Sequence, residues 1–266
     1  MRTHLAQAKP RGLERRYAEQ FCDASIVEAY RARPPYPAGL DPLFIELAGG
    51  ADAHILDLGC GTAELARRLA PRVRAVTAVD HSANMIAQAR ALPGGDAPNM
   101  TWVVGRVEDV RLAGPFTSAL AGQSFHWFDW AVLVRRLAEW VPTRRLILAD
   151  RREGPSPWSE ALAGLFRRFS TNKDFEPFDL VDELTARRYL AVEGRMSQRP
   201  EPFAQSIDDY VTSLHSQNGF SRDRMPAADV SAFDAAVRAA VTPYTRNGML
   251  TVPVVARVVW GRVLNP

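Results

Sequence analysis

The sequence predicts an α/β fold built on a doubly wound, mostly parallel sheet. Three observations predict it. Short, continuously apolar runs alternate with amphipathic stretches from residue 53 to 150. A glycine-rich turn joins the first such run to the first such helix, in "HILDLGCGTAEL" from His54 to Leu65. A Val-rich run, "LTVPVVARVVWGRV" (250–263), supplies a strand at the far end of the chain.

The elements follow in order. Residues 1 to about 20 read as loosely helical. "DASIVEAYRAR" (23–33) has helical spacing at Ile26, Val27 and Tyr30 and is stopped by "RPPYP". "DPLFIELAGG" (41–50) reads as a helix with Asp41 as N-cap, Pro42 at the first helical position and Gly49-Gly50 ending it. "AHILDLG" is a strand and "TAELARRLA" a helix. "AVTAVD" (75–80) is a strand, and "SANMIAQARAL" (82–92) a helix capped by Ser82. "MTWVVG" (100–105) and "FTSALAGQS" (116–124) are strands, "WAVLVRRLAEWV" (130–141) a helix and "RRLILAD" (144–150) a strand.

After Asp150 the rhythm changes. Residues 157–192 read as mostly helical, and "AVEGRMSQ" as a strand. "SIDDYVTSLHSQ" (206–217) and "AADVSAFDAAVRAAV" (227–241) read as helices, and "SQNGFSRDRM" (216–225) as an exposed turn.

Bulk properties narrow the class. The 266 residues suffice for one large domain with an insertion, and 47% hydrophobic with 24% charged residues fits a globular protein. The net charge is +3, and the arginines are interspersed with acids. That is not the dense basic patch of an obligate nucleic-acid binder. Two distant cysteines, Cys22 and Cys60, make no disulfide framework. The first twenty residues lack the apolar core of a secretory signal, and no apolar run approaches the length that spans a bilayer. The expectation is a reduced, cytoplasmic enzyme.

The glycine turn points to a ligand. Glycine at 59 and 61 permits positive φ and lets a ligand approach the backbone. The helix beyond it offers free N–H groups. Asp80 ends the next strand, nineteen residues past Gly61, where an acid reaches a ribose diol. A P-loop needs Gly-Lys-Ser/Thr, which is absent. A dinucleotide turn needs a third glycine where Glu64 stands. Asp57, inside the strand's end, suits a cationic ligand better than an anionic one. A ligand with adenosine at one end and a cationic amino acid at the other is S-adenosylmethionine (SAM).

These stretches resemble a known family. "ILDLGCGTAEL" is similar to the first motif of class I SAM-dependent methyltransferases, "AVDHSANMIAQAR" to the second, "VVGRVEDV" to the third and "ALAGQSFHWFD" to the stretch at the fourth strand. The resemblance is close over residues 53–150. "FCDASIVEAYRARPPYP" resembles an N-terminal helix and loop of bacterial members that act on small molecules. "FHWFD" resembles the branch that includes type 11, trans-aconitate and natural-product methyltransferases.

The resemblance implies a Rossmann-like, doubly wound, seven-stranded sheet with the last strand antiparallel, carrying a helical substrate-binding insertion. The parts would be residues 1–40 closing over the cofactor, 41–150 binding it, 151–249 holding substrate with one core strand, and 250–266 as the final strand. It implies SAM as cofactor, with S-adenosylhomocysteine (SAH) as product. Gly59, Cys60 and Gly61 would lie beside the homocysteine portion with Asp57 nearby, Asp80 on the ribose, and His81 and Met85 around the adenine. Val107 and Glu108 would cap the adenine, although Arg106 stands where relatives often carry aspartate. Gln123 and Ser124 would lie near the methyl group. Tyr30, Arg33 and Tyr36 would close over the cofactor and hold its carboxylate.

"SFHWFDW" places a histidine among four aromatics just after a strand end. His126 is the candidate base or acceptor orienter. Trp127 or Phe125 is the candidate π face for the sulfonium. Phe128 and Trp130 read as the start of a core helix face. No spacing of His, Cys, Asp and Glu suggests a metal site. The expected function is methyl transfer to a small-molecule acceptor in natural-product metabolism, at N, O or C, by a monomer or homodimer with neither nucleic-acid nor membrane partner. The alternatives are carboxylate O-methylation of the trans-aconitate type, and a SAM-using enzyme that displaces sulfur within the cofactor and releases methylthioadenosine.

Overall fold

The computed structural model describes residues 8–264; the expectations for residues 1–7 and 265–266 lie outside them. Eight strands form one sheet: β1 (His54–Leu58), β2 (Ala75–Asp80), β3 (Met100–Val104), β4 (Ser118–Gly122), β5 (Arg145–Glu153), β6 (Leu190–Ser197), β7 (Glu201–Ser206) and β8 (Met249–Val263). The order is β3-β2-β1-β4-β5-β8-β6, with β7 also paired to β8. β1 to β5 run parallel, and β8 is antiparallel to β5, β6 and β7. This is the Rossmann-like sheet with a reversed last strand that the sequence predicts, with β7 added to it.

Alternation along the strands divides the core. Ile55, Val76, Leu120, Ile147 and Val258 bury one face with Phe44 and Leu69 from the helices at 41–48 and 64–69. Leu56, Leu58, Val79, Leu146, Leu148 and Val259 bury the other face, with Leu133 and Leu137 of the helix at 130–140 and Leu184 of the helix at 180–186. A third core lies in the insertion, where Trp158, Phe169, Tyr210, Phe233 and Val237 pack on Leu250 and Val252 of β8.

Three local expectations are corrected. Leu40, not Asp41, is the N-cap; Asp41 is the first helical residue and pairs with Arg68. Segment 151–249 holds two strands rather than one, because "EPFAQS" forms β7. Its Pro202 obscures the pattern, and β7 pairs only with β8, so it is an edge strand that tolerates a missing N–H. Residues 216–225 are not an exposed turn: Ser216, Phe220 and Ser221 are buried. They dock on the N-terminal segment, where Asp23 accepts from Ser221 and Arg224 and Gln20 accepts from the Gly219 N–H.

The sheet positions the site. Strand order reverses between β1 and β4, and ligands of open α/β sheets sit beyond the carboxyl ends of strands at such a switch point. The Gly59–Gly61 turn leaves β1 there, and Gln123-Ser124 leaves β4 beside it. Among the described residues, no helix is long and apolar enough to cross a membrane.

Candidate active site

The turn after β1 has left-handed φ at Gly59 (61°), Gly61 (57°) and Ala63 (55°), and the helix begins at Glu64. Glycine is required at 59 for a second reason. A Cβ there would come within 2.8 Å of Ser124 Cβ and 2.9 Å of Phe128 Cζ. At Gly61 the Tyr30 ring closes to 3.2 Å of the same point. The Cys60 N–H donates to the Val79 carbonyl at 3.0 Å, tying the turn to β2. Burial, together with the charges of Asp80 and Asp57, pushes the Cys60 thiol well above its ordinary value, so it is a poor nucleophile.

Asp80 is fixed by two backbone donors. The Gly61 N–H bonds Oδ2 and the Ser82 N–H bonds Oδ1, both at 2.8 Å. Each oxygen keeps a lone pair, so the carboxylate can still accept from a diol. Burial raises its pKa, opposed by those two bonds and by His81. Asp57 is buried at the end of β1, and burial followed by the charge of Asp80 pushes it up to about 7. Among the described residues no hydrogen bond reaches its carboxylate. His81 Nε2 is also buried without a partner. Ser82 caps its helix by accepting from the Met85 N–H, and Met85 packs with Ile26 and Val27.

These groups share one cavity of about 330 Å³. Its wall includes Asp57, Gly59, Cys60, Gly61, Asp80, His81, Met85, Val107, Glu108, Gln123, Ser124, Trp127, Tyr30 and Arg33. His126 does not line it. The short 3₁₀ turn at 125–127 puts Trp127 on the wall, its ring 5.5 Å from that of Phe21, while His126 packs on Phe178. Burial, and then Lys9, lowers His126 to about 3. The structure thus puts Trp127, and not His126, on the wall of this cavity. Phe128 is corrected in the other direction: it lines the cavity, while Trp130 is core.

Two expected contacts take a different form. Glu108 accepts from the Asp129 N–H at 2.9 Å and pairs with Arg106 at 3.3 Å, so Arg106 buttresses Glu108 rather than replacing an acid. The Gln123 amide donates to the Arg151 carbonyl at 2.6 Å and to Asp150, and the Ser124 hydroxyl donates to the Leu58 carbonyl. Both residues therefore brace the junction of β1, β4 and β5.

The sequence reading missed Glu64 and Arg151. Pairing of Arg151 with Ala256 extends β5 past the expected Asp150. Arg151 donates to Glu64 and lies over the Tyr36 ring, with 4.5 Å to the centroid. Glu64 also accepts from the Tyr36 N–H and pairs with Arg68. Thus the carboxylate that disfavours a dinucleotide turn anchors the proline loop at 33–37. Every lining residue falls between Ala18 and Arg151, so the part of the insertion beyond β5 contributes none of the wall.

The comparisons fit this geometry. A family model described as a methyltransferase domain matches residues 55–143, the span from β1 to just past the helix at 130–140. Uncharacterized methyltransferases of Mycobacterium tuberculosis (strain H37Rv) and Mycobacterium bovis are each 36% identical to this chain over 117 residues, which is 43% of this chain and 45% of each relative. The chain thus spans about half the length of these curated relatives. Among solved structures, a protein of Anaeromyxobacter dehalogenans titled a type II methyltransferase candidate aligns at TM-score 0.57 and 23% identity, covering 88% of this chain and 99% of that one. The YcgJ protein of a Bacillus species aligns at 0.53 and 17%, covering 86% and 100%. These likenesses show the fold alone, not a substrate.

Proposed function

We propose that the protein is a SAM-dependent methyltransferase acting on a small-molecule acceptor, in natural-product metabolism. One observation carries the reading: a cavity at the strand switch point faces two buried carboxylates, Asp57 and Asp80, and the unpartnered Nε2 of His81. That donor set fits SAM. Asp80 would accept from the ribose hydroxyls, His81 and Met85 would flank the adenine with Val107 and Glu108, and the bare turn at Gly59–Gly61 would admit the amino-acid portion. Asp57 would face its positive charge, and Arg33 would face its carboxylate.

Bound there, SAM supplies an electrophilic methyl group on a sulfonium that is already a good leaving group. The protein's part is positional. Phe128 and Ser124 crowd the turn at Gly59 and would limit how deep the cofactor sits. Trp127 and Phe21 exclude water and offer π faces to a cation. An acceptor atom aligned about 3 Å from the methyl carbon then needs no covalent help. The concave cavity, and the pairing of arginines such as Arg16, Arg151 and Arg224 with acids, support a small molecule over nucleic acid.

The test is incubation with SAM and panels of candidate acceptors, followed by product chromatography. SAH that forms only with an acceptor supports the reading. Methylthioadenosine released from SAM alone would instead indicate displacement within the cofactor. Arg151 on the wall, with His126 outside it, favours a second reading, in which an acceptor carboxylate is methylated without a base. An ester product from a carboxylic acid panel distinguishes that case.

A further inference from the structure

Arg33 is held in an unusual way for a half-buried cation. Nε donates to Ser216 Oγ at 2.7 Å and Nη2 donates to the Ser216 carbonyl at 2.6 Å. The other face of the guanidinium lies over the Tyr30 ring, 4.0 Å from the centroid. Ser216 is fully buried, and its own hydroxyl proton is committed to the Ser213 carbonyl. Its oxygen lone pairs are therefore directed at Arg33. The Ser216 carbonyl stands just past the helix at 207–214, at the end whose dipole favours a cation.

The set has no acid. Among the described residues, no carboxylate forms an ion pair with Arg33, and Nη1 has no protein acceptor. A carboxylate partner would have fixed the guanidinium and cancelled its charge. Serine fixes it and leaves the charge in place, on the cavity wall.

We propose that Ser216 is a positioning residue for cofactor recognition: it orients Arg33 so that the uncommitted edge of the guanidinium meets the carboxylate of the SAM amino-acid portion. The inference rests on the SAM reading above. It also gives the insertion a role in cofactor binding although no residue beyond Arg151 lines the wall. Ser216 lies 183 positions from Arg33 in sequence, so cofactor affinity and insertion docking become one linked equilibrium.

Two ligands test this on the whole chain. SAH carries the carboxylate; 5′-methylthioadenosine keeps the nucleoside and thioether but lacks the amino acid. By titration calorimetry, Ser216→Ala is expected to weaken SAH binding about tenfold and to change methylthioadenosine binding by less than about twofold. In an Arg33→Ala background the same substitution should cost SAH nothing further. Ser216→Cys, close in volume but a weaker acceptor, should show the same selective loss and serves where the alanine variant folds poorly. Equal loss for both ligands, or loss for neither, overturns the positioning role. A wild-type chain that binds neither ligand overturns the SAM reading itself.

Discussion

Arg151 donates to Glu64 at 2.6 Å across the floor between β5 and the helix that follows the glycine turn. Arg151 is 9% exposed in its side chain and Glu64 25%. Removing the acid would leave a buried cation on the wall of the cavity. Glu64→Ala is expected to lower unfolding free energy by about 2–3 kcal/mol in urea titrations, because breaking one partner of a mostly buried pair costs more than the pair contributes. Glu64→Gln, which can still accept from the Tyr36 N–H, should lose less.

Asp57 makes stability fall with rising pH. Its carboxyl is raised from an unfolded value near 4 to about 7 in the folded protein. Between those values the folded chain binds the extra proton, so unfolding free energy decreases as pH rises through the window and levels off above it. The span is about three units, on the order of 4 kcal/mol. Asp57→Asn should flatten the profile measured by denaturant titration from pH 4 to 8. A cationic ligand favours the ionised form. SAM binding below pH 7 should therefore release a proton, visible as buffer-dependent heats in calorimetry.

Gly59 and Gly248 separate strain from collision. Both have positive φ, at 61° and 73°. A Cβ at 59 strikes Ser124 and Phe128, whereas at 248 it meets open space. Gly248→Ala should cost about 1 kcal/mol. Gly59→Ala should cost about 3 kcal/mol or more and abolish detectable SAM binding, as read by thermal melts and equilibrium dialysis.

Asp80 anchors the turn as well as any ribose. Asp80→Ala should weaken SAM binding more than tenfold in calorimetry, because it removes the diol acceptor and frees the buried Gly61 and Ser82 N–H groups. Unchanged affinity would count against the proposed cofactor orientation.

His126 lies off the wall and is held neutral. His126→Asn should leave turnover within about threefold, and the rate profile should show no limb near the ordinary histidine value of about 6.5. A lost limb in the variant would restore it as a base.

Local patterns were legible and long-range pairings were not. β1 to β5 and β8 announce themselves because buried strands are continuously apolar, and the turn at Gly59 because its φ and its clearance both demand glycine. β7 hides because Pro202 breaks the strand signal. Phe128 resembles the core residue Trp130 in sequence, and only the 3₁₀ turn at 125–127 separates wall from interior. Glu64 with Arg151 and Arg33 with Ser216 lie 87 and 183 positions apart. No spacing rule joins residues so distant; the tertiary packing does.

β8 has a bearing on synthesis. This 15-residue strand pairs with β5, β6 and β7 at once. It emerges from the ribosome after all of them. Until then the nascent sheet presents β5 as a bare apolar edge, open to misannealing with other chains. Closure of this sheet thus waits on the last of its strands in sequence, and truncations that clip β8 should yield aggregates rather than a smaller folded protein.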